Sequence, residues 1–360
     1  METQATAIPK LPNDVVIEIL TRLPVKSLLR FKCVCKSWLS LISSQEFAKS
    51  HLRNSKKSSN FTHHRIMLNY RGNLKQCSVQ SLFYEPISDA FDTDYYHYSV
   101  RDSRNFVWVV GSCDGLICLA INKKDLILWN PSTRISKKLP DFAVKINFGS
   151  YFAYGLGFDK SSNDYKVVGF FNNNRDLSEV IVKIYSLKND EWKRIKNFKG
   201  RWLMDDPATF ANGKLHWISN SDLELKSGWD IVSLDLETEE YGILEMPAYV
   251  KSGFYSRLGA SEGSLYVLCS HLSNAEVWIM DDCNQSWNKV VTIPYIDDFL
   301  KYTYKRALYV LKNGEVLLLC GSKFVIFDSR DCSFRYPEIR NSGEVITAST
   351  YLESLVSPLL

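Results

Sequence analysis

GSLYVLCSHLSNAEVWIMDDCNQSW, residues 263–287, contains the unit that organises most of the chain. A glycine opens it, the apolar strand Ser264-Leu265-Tyr266-Val267 follows, and a further strand ends on Asp281, six positions before Trp287 starts the next. Glycine supplies the positive φ that a tight hairpin needs. The same spacing recurs from Ser186 to Trp192, Asp235 to Tyr241 and Asp328 to Phe334, and from Asn130 to Ser136, where the aromatic is missing. The anchors at 130, 186, 235, 281 and 328 lie 56, 49, 46 and 47 residues apart, and Tyr84, in SLFYEPISD, sits another 46 before the first. A period near 47 suits a four-stranded propeller blade. Gly115, Gly213 and Gly314 open equivalent strands, and Ser162-Asn163-Asp164-Tyr165 takes that place in the remaining repeat. Six anchors predict an all-β, six-bladed propeller over residues 63–358. A ring must close or leave sheet edges exposed, so Val345 to Val356 is expected to add a strand beside His64–Tyr70, making the last fifteen residues structurally essential.

Before the repeats, LPNDVVIEILTRLPVKSLLRFKCVCKSWLSLISSQEF at residues 11–47 reads as three short helices. Asn13 is placed to cap the first, with Val15, Val16, Ile19, Leu20 and Leu23 at helical spacing and Pro24 as the stop. Leu28, Leu29 and Phe31 mark the second helix, and Val34, Trp38, Leu41 and Ile42 the third. So small a unit carries more large apolar side chains than it can bury in itself. Either the following domain or a separate partner must cover the surplus. The domain is assigned to residues 9–48, and polar KSHLRNSKKSSNFT at 49–62 reads as a linker.

Charge separates the two parts. Residues 1–60 hold ten Lys/Arg against four Asp/Glu, and the remaining 300 hold 34 against 36. A basic short segment on a near-neutral body points to an acidic protein partner for the first part and away from nucleic acid for the second. Nine cysteines, without a C-x-x-C pair, fit reduced thiols. No apolar run is long enough for a membrane span, and METQATAIPK lacks the order of a secretory signal, so a cytoplasmic or nuclear location is expected.

The N-terminal stretch resembles an F-box and is close in wording to those of plant F-box proteins: Leu11-Pro12, Arg22-Leu23-Pro24 and the run from Cys33 to Trp38 carry the likeness. GSCDGLICLAINKKDLILWNPSTR and YGLGFDKSSNDYKVVGFF resemble the F-box-associated interaction domain of those proteins, often labelled F-box/kelch. No Gly-Gly dipeptide occurs, so the kelch signature proper is absent. The resemblance implies docking onto a Skp-type adaptor and through it a cullin. Carried over by position, the adaptor contacts would be Leu11, Pro12, Ile19, Leu20, Leu23, Pro24, Leu28, Leu29, Val34 and Trp38, with Arg30 and Lys32 as rim charges.

Signs of chemistry are weak. Gly259-Ala260-Ser261-Glu262-Gly263 matches a nucleophile elbow, but that device needs a helix after the turn, whereas Ser-Leu-Tyr-Val-Leu is a strand. Gly155 and Gly157 lack the third glycine and the helix of a dinucleotide site. His63 and His64 would point to opposite faces of a strand, and Asp281-Asp282-Cys283-Asn284 lacks the glycine and closing glutamate of a calcium loop, so no metal or other cofactor is expected. His216, between Leu215 and Trp217, reads as a packed strand residue rather than a base. Trp129, Trp192, Trp217, Tyr241, Trp278 and Trp287 are assigned to packing between blades. Aromatics off the repeat pattern are the candidate target surface: Tyr95, Tyr96 and Tyr98 within 88–105, Arg201, Trp202, Trp229, Tyr255, Tyr302 and Tyr304.

The expected function is a non-catalytic substrate-recognition subunit of an SCF-type ubiquitin ligase. Two alternatives stand beside it: an interaction protein that delivers nothing for degradation, and an enzyme built around the channel of a propeller. The target protein and its pathway are not encoded in any motif.

Overall fold

The structure is a computed structural model that describes residues 11–58, 60–70, 72–93, 107–122, 124–144, 151–172, 180–198, 202–203, 207–220, 229–247, 256–261, 263–271, 273–281, 283, 285–295 and 304–359. The repeated spacing has a local cause. At each anchor a side-chain oxygen accepts a backbone N–H from the turn that follows: Asn130 from Ser132, Ser186 from Asn189, Asp235 from Glu237, Asp281 from Cys283 and Asp328 from Arg330. Four positions after each anchor, Arg134, Asp190, Glu239, Gln285 and Cys332 take positive φ between 50° and 64°. The turn thus has a fixed length, and the next strand begins at a fixed offset. The other family of hairpins behaves likewise. Gly115, Gly213, Gly263 and Gly314 have φ between 78° and 91°, and Asn163 substitutes at 54°.

Strands assemble into six blades. Residues 107–138 form the second blade, 151–194 the third, 209–245 the fourth, 256–294 the fifth and 304–335 the sixth, each a run of antiparallel hairpins. The first blade is composite: Thr347–Leu352 is its innermost strand, followed outward by His64–Tyr70, Asn73–Ser78 and Phe91–Asp92. Closure therefore occurs as the terminal apolar stretch implied, with His64 opposite Leu352 and Asn69 opposite Thr347. A second stitch joins the same blades, because Glu338–Arg340 pairs in parallel with Ile87–Asp89.

The cores lie between blades rather than within them. Six buried clusters each draw on two neighbouring blades; Trp129 lies between blades one and two, Trp217 between three and four. The aromatic six positions after an anchor adds a directed contact. Trp192 Nε1 donates to the Pro140 carbonyl, the Tyr241 hydroxyl to Lys196, and Trp287 Nε1 to Glu245, all at 2.8 Å and all on the preceding blade. Trp278 and Trp287 pack on the cluster between blades four and five, so all six repeat aromatics sit between blades.

Helices α1 (Asn13–Leu20), α2 (Val25–Phe31), α3 (Lys36–Ser43) and α4 (Gln45–Lys57) precede the propeller. Pro12, not Asn13, occupies the first N-cap, and Pro24 the second. Four helices replace the expected three, and residues 49–57 of the stretch read as a linker belong to α4. Polar composition concealed it, yet Ser44 caps it by accepting from Phe47 N, and Phe47, His51, Leu52 and Ser55 are buried along one side. Tyr84 is a second correction: Val79–Tyr84 is a helical turn and Tyr84 is exposed, so the first blade lacks the anchor assigned to it.

The helical module rests on the propeller. Lys56 Nζ lies 2.5 Å from Asp114 Oδ1, His51 Nε2 donates to the Leu23 carbonyl, and the His51 and His63 rings meet edge to face at 5.2 Å. The C-terminal tail completes the joint: the Ser354 hydroxyl donates to the Asp114 carbonyl, the Asn130 amide donates to the carbonyls of Ser354 and Val356, and Leu355 enters the helical core. A Cβ on Gly115 would lie 2.6 Å from the Leu352 carbonyl, so glycine serves both the turn and the passage of the tail.

Two expectations follow. Deleting residues 346–360 removes the innermost strand of blade one and the tail, so this truncation is expected to yield no soluble chain with a cooperative thermal transition, read by circular dichroism. Burial pushes His63, His64 and His216 down to about 4 from an ordinary value near 6.5. The fold keeps them neutral while the unfolded chain takes up protons, so their contribution is complete above pH 6.5 and is lost as pH falls from there to about 4. The melting temperature is expected to drop across that window; a flat profile there would contradict the assignment.

Candidate functional site

The helical core is small. Leu20, Leu28, Ile42 and Phe47 are buried at its centre, with Val16, Leu23, Phe31, Trp38, Leu41 and Leu355 packed around them. Trp38 stands against Phe31 with ring centroids 5.5 Å apart. The remaining apolar residues are left outside: Leu11 is 60% exposed, Ile19 48% and Val34 60%, and Val15 and Leu39 are exposed as well. Val15 and Ile19, four residues apart in α1, share one helical face, and Leu11 precedes the Pro12 cap of that helix.

The ten residues assigned to partner docking therefore separate. Leu11, Pro12, Ile19 and Val34 are exposed, and Leu23, Pro24, Leu29 and Trp38 are half-buried. Leu20, at 2% exposure, and Leu28, at 0%, cannot touch a partner; they hold the module's own core, and their assignment is corrected on that ground. Val15 and Leu39, which were not assigned, are exposed as well, and the four-residue spacing of Val15 from Ile19 was a usable signal of a shared face. Of the two charges assigned to the rim, Arg30 is exposed and Lys32 half-buried, and Lys26 and Lys36 of the same module are exposed too, none of these exposed cations with a carboxylate partner among the described residues. Exposed apolar residues and exposed cations on one small module suit a partner with an apolar groove and acidic margins.

The propeller touches this module elsewhere. Its contacts come from Asp114 in a hairpin between first and second strands, His63 at the start of a second strand and Leu355 beyond the end of an innermost strand, all at one end of the ring. The segments singled out for recognition leave from the other end. Residues 94–106, 199–201, 248–255 and 296–303 run from an outer strand to the next innermost one, and 221–228 joins second to third strands. Since strands alternate in direction across a blade, both kinds of connection start at the same end, opposite the helices.

Of the candidate target residues, Tyr95, Tyr96, Tyr98, Arg201, Tyr255 and Tyr302 lie outside the described residues. Trp202 pairs through its backbone with Asn220 and Tyr304 with Cys320, at the same end of the ring. Trp229 is half-buried and packs on the cluster between blades four and five, which gives it a structural role that its off-pattern position concealed.

The motifs that suggested chemistry are accounted for by the propeller. Gly263 is a hairpin turn followed by the strand Ser264–Ser270, and the Ser261 hydroxyl donates to the Val310 carbonyl at 2.9 Å. His216 is buried, with Nδ1 3.3 Å from the Thr209 carbonyl. Asp281 is an anchor turn, its oxygen accepting from Cys283 N. Among the described residues no three His, Cys, Asp or Glu side chains are grouped to hold a metal ion.

Residues 8–50 match the family model described as F-box domain, and residues 65–346 the one described as F-box associated beta propeller domain. An F-box/kelch-repeat protein of Arabidopsis thaliana is 33% identical over 97% of this chain and 96% of its own length. F-box protein CPR1 of the same plant is 30% identical over 96% of this chain and 88% of its own. With the helical module, the closed ring and relatives similar along nearly their whole length, the chain belongs to the family of F-box proteins that carry an F-box-associated β-propeller.

Proposed function

We propose that this chain is the substrate receptor of an SCF-type ubiquitin ligase, joined to the cullin through a Skp-type adaptor. The observation that carries the reading is the set of apolar residues Leu11, Val15, Ile19, Val34 and Leu39 left exposed on the helical module, whose contacts with the propeller run through α4 and Leu355. Five large apolar residues exposed in about thirty positions are costly in water, at roughly 25 cal/mol per Å², and a partner that covers them recovers that cost.

The target is assigned to the end of the ring opposite the helices, where the long connecting segments begin. Holding adaptor and target at opposite ends of one rigid body raises the local concentration of target lysines near the ubiquitin-conjugating enzyme, and the chain supplies no reacting group of its own. The same reading places it in the cytosol or nucleus, where nine free thiols remain reduced.

Ile19→Asp tests the adaptor half cleanly, because Ile19 is exposed and its loss leaves the core intact. Affinity for a Skp-type adaptor, measured by calorimetry, is expected to weaken by about thirtyfold or more, as for a charge placed at the centre of an apolar interface. Leu28→Ala is expected instead to destabilise the module by about 2–5 kcal/mol, seen in thermal melts. Unchanged binding by folded Ile19→Asp would overturn the docking face. In cells, the same variant should keep its target in pull-downs while the target's ubiquitination falls; a target equally modified with either form would favour an interaction protein outside the ligase.

A further inference from the structure

The innermost strands of the blades have a hydrogen-bonded neighbour on one edge only, and their free edges surround the propeller axis. A cavity of about 100 Å³ lies there, lined from blades one, two, four, five and six. By volume it exceeds the roughly 10–15 Å³ required for one water several times over. Its lining includes one charged side chain, Arg306, and no carboxylate.

Three features set the chemistry of this space. Arg306 is half-buried and has no carboxylate partner among the described residues. Its strand shifts register on both sides of it, between Tyr304 and Arg306 and again between Ala307 and Tyr309. Such bulges redirect side chains and concentrate near functional positions. The Thr209 hydroxyl, in the same lining and at 6% exposure, has no hydrogen-bond partner among the described residues. Two other hydroxyl groups of the lining are already engaged: Tyr266 donates to Ala307 O and Ser112 to Thr350 O, both at 2.6 Å. A guanidinium and a buried hydroxyl thus stand in the lining as donors. A cation withdrawn from water without a counter-charge is unfavourable, and a guanidinium matches a planar or tetrahedral oxyanion with paired donors.

We propose that the axial cavity binds a small oxyanion, a carboxylate or a phosphate, held by the Arg306 guanidinium with Thr209 as a second donor. Arg306 stands two residues from Tyr304, where its strand leaves the end of the ring assigned to the target. A bound anion would therefore lie next to the segments that begin there. The inference goes beyond the ligase reading and does not depend on it, since its readout is binding to the propeller and not to an adaptor.

Calorimetry on the full chain tests it, with sodium acetate, sodium phosphate and neutral acetamide titrated at ionic strength held constant by chloride. Saturable binding of acetate or of phosphate is expected, the stronger of the two identifying the anion class, with none for acetamide. Arg306→Gln should weaken that binding at least about tenfold while leaving the thermal transition in place, and Arg306→Lys should retain part of it. No saturable binding of either anion over chloride, or equal affinity in folded Arg306→Gln, would overturn the proposal.

Discussion

Six residue pairs between His64–Asn69 and Thr347–Leu352 hold the ring shut, and the remainder of the molecule depends on them. A blade buries its faces only when it has a neighbour on each side, because each apolar cluster is shared between two blades. Without the terminal strand, the cluster between blades one and six would lose Ala348 and the one between one and two would lose Tyr351. An unpaired strand edge would also face solvent along blade one. The chain joins its two ends at this point, so closure comes at the greatest sequence separation the propeller offers and has to repay the largest loop entropy.

The closing strand also continues into the contact that orients the helices. Beyond Leu352, Glu353 N donates to His63 O, Ser354 bonds the Asp114 carbonyl, and Leu355 joins Leu20, Leu28, Ile42 and Phe47. Arg65 meets Glu353 at 3.1 Å beneath this crossing. One short segment thus serves as sheet strand, spacer and core residue of the other module. A receptor that works by proximity benefits from such a joint, because effective concentration falls when the two bound ends wander relative to each other.

Much of this was legible in the residues. The anchor spacing reflects a turn closed by its own side chain, a local device with a local signature, and the glycine positions follow from positive φ. The six aromatics assigned to blade packing are found there for the same reason: their positions repeat because blade geometry repeats. Misreadings arose where local signals described a different local structure. Tyr84 matched the period by coincidence, and its residues coil into a helix capped by Ser78. Residues 49–57 look polar because only one side of α4 is covered, through Phe47, His51, Leu52 and Ser55. Trp229 left the pattern in sequence but returned to the core in space.

Sequence alone determined the two-part organisation and the repeat near 47 residues, both written in short-range spacing of turns and apolar residues, while the N-terminal module was named by its likeness to F-box sequences and the first blade's place in the ring was not marked by an anchor. Tertiary structure decided which apolar residues of that module face outward. Leu20 and Ile19 are adjacent and equally hydrophobic, yet one is sealed in the core and the other stands in water, because helix packing, not residue type, selects the buried side. It likewise decided that the helices sit at the ring's hairpin end, opposite the long connecting segments, and that Arg306 and Thr209 share an axial cavity. Lys56 and Asp114 are 58 positions apart and Thr209 and Arg306 97, separations that no local pattern spans.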